Sequence, residues 1–419
     1  MSARFQAPRG TFDVLPAESA ARARVYAVAD AAFRRAGYAR IETPAFEDTE
    51  LFARGVGAST DIVTKEMFTF ADQGGRELTL RPEATAPICR AYVEHGMHKL
   101  PQPVKLWCWG PFFRHERPQA GRFRQFHQFD LEAIGTDSPL ADAEAIILLD
   151  GILRELGVPG LRLRLGSLGS LAERAEYRER LRAHLRANED KLAGDVRERI
   201  DANPLRAFDS DHEGTREVMA SAPTMLEHLS DEDARHFEAV RRLLDSAGVA
   251  YELDGTLVRG LDYYTRTVFE FESEALGAQA ALGGGGRYDG LVEELGGPPT
   301  PAVGWAAGIE RILLALGESP PPPVIDVFIV APDGQRERAL ELATTARRAG
   351  VCVDLDLAGR SEKGQMKQAD RSGAPRAVIL REDGTARLRS METGDQRELD
   401  LDDVLGEIER EVERAEAGG

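Results

Sequence analysis

The sequence predicts an α/β (α+β) protein: one domain centred on an antiparallel sheet and interrupted by helices, then a small C-terminal α/β domain. Three observations carry this prediction. The segments KLWCWGPFF (105–113), FHQFDLEAI (126–134) and TVFEFE (267–272) are aromatic and alternate apolar with polar residues, as strands with one covered face do. From Ser167 to about Gly248 the chain is charge-rich, with apolar residues at the spacing of surface helices. After SPPPP (319–323), a run that cannot continue a helix and favours a stiff spacer, strand-like and helix-like stretches alternate. The expected domains are therefore 1–320, with a helical insertion at about 167–248, and 324–419.

The 419 residues suit two or three domains, and 42% hydrophobic with 30% charged residues is an ordinary globular balance. MSARFQAPRG contains no apolar signal region and no apolar run reaches the length of a membrane span, so a cytoplasmic protein without membrane contact is expected. Cys89, Cys108 and Cys352 are the only cysteines and lie far apart, which offers neither a disulfide framework nor a CxxC zinc site. HExxH, GxxxxGK[ST] and GxSxG are all missing, so zinc proteases, P-loop nucleotidases and nucleophile-elbow hydrolases lose their signatures. With 53 basic and 71 acidic residues the net charge is −18, and a polyanionic partner would need a local basic surface.

Taken in chain order, LTLRPEATAPICR (78–90) reads as a strand followed by a helix starting near Pro82, because a first-turn proline lacks only an N–H that is unpaired there anyway. Lys105 to Ile134 reads as a long hairpin around HERPQAGRF. A period of two places Phe126, Gln128, Asp130 and Glu132 on one face and His127, Phe129, Leu131 and Ala133 on the other. The turn side supplies Arg114, Arg117, Arg122 and Arg124, with Arg114 and Glu116 sharing a face. Within the insertion, Ser230 followed by Asp233 marks a helix start. VRGLDYYTRTVFEF (258–271) puts Arg259, Asp262, Tyr263 and Tyr264 in a loop before a strand. The four glycines of LGGGGRYDGL (282–291) read as a flexible turn. AVGWAAGIERILLAL (302–316) joins a small-residue strand to a helix carrying Glu310 and Arg311.

In the C-terminal domain VIDVFIVA (324–331) reads as a buried strand, 335–349 as a helix ending at Gly350, and VCVDLDL (351–357) and RAVIL (376–380) as strands. Residues 360–389 hold eight Lys or Arg against four acids, whereas 398–416 hold nine acids against two Arg. The middle stretch is the candidate basic face.

Together these segments resemble a class II aminoacyl-tRNA synthetase. GYARIETP (37–44) is similar to motif 1, WGPFFRHER with FRQFHQFDLEAIG to motif 2, and VGWAAGIER to motif 3, with Ala306 where a glycine is often seen. RGTFDVLP (9–16), LRPEAT (80–85), RGLDYYTRTVFEF and GGGRYDGL resemble histidyl-tRNA synthetases of bacterial type, and the likeness runs from Arg9 into the C-terminal domain. In RLRLGSLGS (162–170) the sequence departs from the family, which more often has Asn at the position of Gly166.

The resemblance implies a histidine–tRNA ligase reaction: L-histidine and ATP give histidyl-adenylate and pyrophosphate, and the histidyl group passes to the 3′ end of tRNA(His). It implies catalytic roles for Arg259 and Arg114. ATP would be held by Arg114, Glu116, Arg122, Phe126 and Arg311, and histidine by Glu83, Thr85, Gln128, Glu132, Tyr263 and Tyr264, with Glu132 and Tyr264 at the imidazole. Mg2+ is expected on the phosphates without a dedicated protein cage. Motif 1 implies a homodimer, and the C-terminal domain resembles the class II anticodon-binding fold. Lys363, Lys367 and Arg371 are spaced to share one helix face, which suits tRNA contact or simply a solvated surface. Two other readings stay open: a catalytically silent regulatory paralogue, such as the regulatory subunit of ATP phosphoribosyltransferase, and a class II enzyme for another amino acid. The retained C-terminal domain and site residues weigh against the first, RGLDYY and Glu132 against the second.

Overall fold

The structure, a computed structural model, describes residues 5–57, 60–201, 204–257, 260–317, 325–400 and 403–417. The chain divides into two compact units, Met1–Ser319 and Pro320–Gly419. The SPPPP run falls outside the described residues.

In the first unit, β1 (Ala39–Arg40) follows the helix Pro16–Arg35, which starts with proline and buries Val25, Ala29 and Phe33. Strands β2 (Phe46–Asp48), β3 (Phe68–Ala71) and β4 (Glu77–Leu80) form a small antiparallel sheet of order β2-β4-β3. The main sheet adds β5 (Val104–Phe113), β6 (Gln125–Ile134), β7 (Leu161–Ser167), β8 (Glu252–Leu253), β9 (Thr265–Ser273), β10 (Ala281–Arg287) and β11 (Ala302–Gly308). Its order is β1-β5-β6-β11-β10-β9-β7-β8. All its pairs are antiparallel except β1 with β5 and β7 with β8.

Alternation along these strands builds two cores. Trp107, Phe129, Leu131, Phe269, Phe271 and Trp305 face the helices Pro16–Arg35, Pro139–Leu156 and Asp231–Ser246. Each such large side chain contributes about 1.5–3 kcal/mol by leaving water, and the Trp305 indole N–H is satisfied by the Ala145 carbonyl at 2.8 Å. The opposite face packs Ala84, Ile88, Cys89, Tyr92, Tyr263, Tyr264 and Tyr288. The hairpin's polar face therefore meets protein, and residues 129–134 are all buried.

Two local expectations change, and a third position, Gly166, gains a reason. The glycine run is the inner strand β10, because a Cβ on Gly285 would stand 2.0 Å from the Gly304 carbonyl oxygen and one on Gly283 2.7 Å from that of Ala306. Only glycine lets these strands approach so closely. The helix after β4 spans Thr85–Glu94 and begins after Pro82, because the Glu83 carboxylate accepts from the N–H groups of Thr85 (2.7 Å) and Ala86 (2.9 Å). At Gly166 a Cβ would sit 2.6 Å from the Asp254 carbonyl oxygen, so asparagine there would require the backbone just after β8 to move.

The insertion consists of the helices Leu171–Ala187, Gly194–Arg199, Glu213–Met219 and Asp231–Ser246 with short 3-10 turns. It has its own core around Tyr177, Leu181, Leu185, Val196, Ile200 and Met225. Ser170 and Glu173 form a capping box, and Ser230 caps the last helix by accepting from the Asp233 N–H at 3.2 Å.

The second unit contains β12 (Val327–Val330), β13 (Val353–Leu355), β14 (Arg376–Leu380), β15 (Thr385–Ser390) and β16 (Gln396–Asp400) in the order β13-β12-β14-β15-β16. β12 pairs in parallel with both neighbours, and the later pairs are antiparallel. The strand expected over 351–357 is confined to 353–355. Helices Arg336–Arg348, Glu362–Ser372 and Val404–Ala417 complete the unit. Among the described residues no helix is long and apolar enough to cross a membrane.

Candidate active site

A cleft of about 420 Å³ opens on the main sheet of the first unit, over the face that β6 presents through Phe126, Gln128 and Asp130. Its walls come from the start of the helix Thr85–Glu94, the hairpin turn side, the 260–264 loop, the glycines of β10 and Arg311 in the helix Ile309–Leu316. Antiparallel registry brings these distant segments together: Asp130 lies opposite Cys108 on one side and Ala306 on the other.

One half of the cleft is cationic. Arg114, Arg122 and Arg311 all line it. Arg114 is anchored by an Nε–H bond to the Pro82 carbonyl at 2.9 Å, and its guanidinium carbon lies 5.4 Å from the centroid of Phe126. Arg311 donates to the Ala281 carbonyl, and burial together with the charge of Arg122 lowers its pKa. Glu116 stands between the arginines, 4.0 Å from Arg114 and 3.6 Å from Arg122. Burial and the neighbouring Glu116 raise the pKa of Glu66, which also lines this half.

The other half is acidic. Glu83, Thr85, Gln128, Asp130, Tyr263 and Tyr264 line it. Among the described residues the buried oxygens Gln128 Oε1 and Asp130 Oδ1 have no hydrogen-bond partner, a state that costs free energy until a donor arrives. Burial raises the pKa of Glu83, its two capping N–H bonds opposing, and pushes Asp130 up to about 8. The rings of Tyr263 and Tyr264 are 4.7 Å apart.

Glu132, expected at the imidazole with Tyr264, lies beneath the residues that line the cleft. It is fully buried and does not line the cleft; one oxygen accepts from Thr85 Oγ1 at 2.7 Å and the other from the Tyr288 hydroxyl. Gly304 makes this possible, since a Cβ there would lie 1.8 Å from Glu132 Oε2. The acid of β6 that lines the cleft is Asp130, which alternation alone places on the polar face without a role. Tyr288 was also not singled out; its place in GGGRYDGL was the available signal. Arg259 lies outside the described residues, and its neighbour Gly260 lines the cleft.

Among the described residues no group of three or more His, Cys, Asp or Glu is arranged to hold a metal ion. In the second unit Lys363, Lys367 and Arg371 are exposed on the helix Glu362–Ser372, which is fixed to its sheet by Gln365, bonded at 2.8 Å to both the N–H and the carbonyl of Ala331.

Comparison with known proteins agrees with this division. A family model described as histidyl-tRNA synthetase matches residues 10–312, and one described as an anticodon binding domain matches 326–411. A histidine–tRNA ligase of Rubrobacter xylanophilus is 48% identical over 410 residues, covering 94% of this chain and 96% of the relative. The crystal structure of apo S. aureus histidyl-tRNA synthetase superposes with a TM-score of 0.81 at 36% identity, covering 97% of this chain and all of that one. A Bacillus halodurans structure described as an ATP phosphoribosyltransferase regulatory subunit/histidyl-tRNA synthetase gives 0.66 at 26% identity, covering 88% and 97%.

Proposed function

The chain belongs to the histidyl-tRNA synthetase family, and from that premise we propose how its own residues divide the work. The reaction is the charging of tRNA(His) with histidine at the expense of ATP. In the first step a carboxylate oxygen of histidine attacks the α-phosphorus while the bond to the pyrophosphate oxygen breaks. Two anions must meet, so positioning and neutralisation of developing charge are what the protein supplies.

The observation that carries the assignment is the cleft's division into an arginine half and an acidic half, joined by one strand face. Arg114 holds the α-phosphate, and Arg311 and Arg122 the distal phosphates, where planar guanidinium forks suit oxyanions. Phe126 stacks on adenine while Glu116 accepts from its amino group. Arg259 acts at the carboxylate and α-phosphate. Magnesium fits the same half: Glu66 and Glu270 line the cleft, and Mg2+ usually takes one or two carboxylates together with phosphate oxygens. When bound, it would neutralise phosphate charge.

At the acidic half Glu83, Thr85 and Gln128 hold the ammonium group, Gln128 with its unpaired oxygen. For the imidazole, Glu132 already accepts from two hydroxyls, and hydroxyls can rotate away. A ring N–H takes over one of these positions, with Tyr264 and Tyr263 alongside. A site built on such bonds rejects apolar analogues by roughly 10⁴–10⁵.

The C-terminal unit binds the anticodon region, with Lys363, Lys367 and Arg371 on the contacting face. The protein works in the cytoplasm as a homodimer. The exposed strand around motif 1, and Phe46 stacked edge-on against exposed Phe70 with centroids 6.2 Å apart, offer a self-complementary surface. Sedimentation should give a dimer at assay concentrations; an active monomer would remove this assignment. The function itself is tested by charging a tRNA(His) transcript with radiolabelled histidine, which should require both the 5′-triphosphate nucleotide ATP and the intact cleft. Failure to acylate the transcript under conditions where the chain is folded would reject it.

A further inference from the structure

The helical insertion grips the loop that carries the two tyrosines. Arg174, in the first turn of the helix Leu171–Ala187, has a side chain only 8% exposed. Its guanidinium donates to the carbonyls of Asp262 at 2.6 Å and Tyr264 at 3.0 Å, and to the Asp262 carboxylate at 3.4 Å. Arg178, one turn further, reaches the same carboxylate at 3.5 Å. On its other side the Asp262 N–H of the loop donates to the Val56 carbonyl at 3.2 Å. Burying a guanidinium is costly, and burial with the adjacent Arg178 lowers the pKa of Arg174 to about 10. Nothing in the helix itself requires this arrangement.

The second end of the segment is held as well. Arg266 adopts a left-handed backbone at φ 45°, a conformation that persists in a non-glycine residue only where its surroundings fix it. Its side chain pairs with Asp233 and Glu232, both at 2.7 Å, in the first turn of the helix that closes the insertion. Its backbone bonds to Leu168 and Gly169, each at 2.7 Å, where the insertion begins. Glu173 ties the two ends together by accepting from the N–H groups of Ser170 at 2.8 Å and Ser230 at 2.6 Å.

We propose that Arg174 is a positioning residue: through it the insertion, and not the sheet alone, sets the place of Tyr263 and Tyr264 and so the affinity for histidine. This rests on the reading of those tyrosines as part of the histidine pocket. A guanidinium is suited to the task because one terminal nitrogen bridges two carbonyls two residues apart while the other meets the side-chain carboxylate of the first of those residues.

The test compares Arg174→Ala, Arg174→Lys and, as a control on the same helix, Arg180→Ala, whose parent side chain is half exposed and paired with Glu176. Pyrophosphate exchange gives KM for histidine and for ATP separately, and hydrogen exchange followed by mass spectrometry reports the amides of 260–268 and of 177–187. For Arg174→Ala a roughly 10²-fold loss in kcat/KM for histidine is expected, the scale of a small misplacement of reacting groups, with the ATP KM little changed. Arg174→Lys should recover part of the loss, and Arg180→Ala should match wild type. Faster exchange should be confined to 260–268. Unchanged exchange there in both Arg174 variants overturns the clamp. Faster exchange with an unchanged histidine KM instead removes the tyrosines from the pocket and the proposal with them. Equal losses for both substrates mean a merely structural arginine and also overturn it; hydrogen exchange decides the first point even for a variant too weak to assay.

Discussion

Asp130 and Glu132 stand two positions apart on one strand face, yet one opens to the cleft and the other is sealed beneath Thr85 and Tyr288. Desolvation governs both acids, and for Asp130 it has a consequence in pH. Its pKa is pushed up to about 8 by burial, and the charge of Glu83 adds to the rise, whereas an unfolded aspartate titrates near about 3.9. The folded chain then binds the extra proton between these values, so this group's contribution is present at low pH and is lost as pH rises through about 8. Asp130→Asn carries no such titration. Its stability relative to wild type should increase between pH 6 and pH 8 by roughly 1–3 kcal/mol, measured by urea unfolding of the ligand-free protein; a pH-independent difference would show that Asp130 is ionised throughout. Arg259→Ala belongs to this scale too. If Arg259 has the proposed role, its loss should slow adenylate formation roughly 10²–10³-fold, with histidine binding by calorimetry largely kept. A wild-type rate would take Arg259 out of catalysis. Alternation made the shared face of Phe126, Gln128, Asp130 and Glu132 legible in the sequence. The depth of each residue was not, because Tyr288 reaches Glu132 from 156 positions away and no local pattern encodes that contact.

Among the elements, the hairpin was legible because its two strands alternate over ten residues each, and the insertion because charged helices repeat their apolar positions. The glycine run was not. A strand without side chains has no period to detect, and its glycines were read by their commonest use, a turn. Its actual use is closeness: β10 lies between β9 and β11, where Gly285 meets the backbone of Gly304 and Trp305. Gly285→Ala should therefore lower stability by about 1–3 kcal/mol, the usual cost of overpacking, seen as a lower urea midpoint. In a flexible turn the same change would be neutral or mildly stabilising, so an unchanged or higher midpoint contradicts the close approach. Helix starts show the same limit in miniature: Pro82 suggested one, but the carboxylate of Glu83 sets the helix start later, at Thr85.

At the scale of the whole molecule a net charge of −18 coexists with an arginine-lined cleft and an exposed basic helix face, Lys363, Lys367 and Arg371. Negative charge elsewhere limits indiscriminate binding to polyanions, and on the proposed reading the local positive surfaces are where specific ones are taken up. Order and spacing of motifs made the two-part architecture and the chemistry legible. What the insertion does for the site was not, because Arg174 looks like any charged helix residue until its guanidinium is found beneath the loop. The central claim is that the cleft joins histidine, and no other amino acid, to the α-phosphate of ATP. The direct measurement is exchange of labelled pyrophosphate into ATP by the full-length chain, with each of the standard amino acids supplied singly. The account predicts exchange with histidine at least about 10⁴-fold above the others in kcat/KM. Exchange driven equally well by another amino acid, or by none, would contradict it.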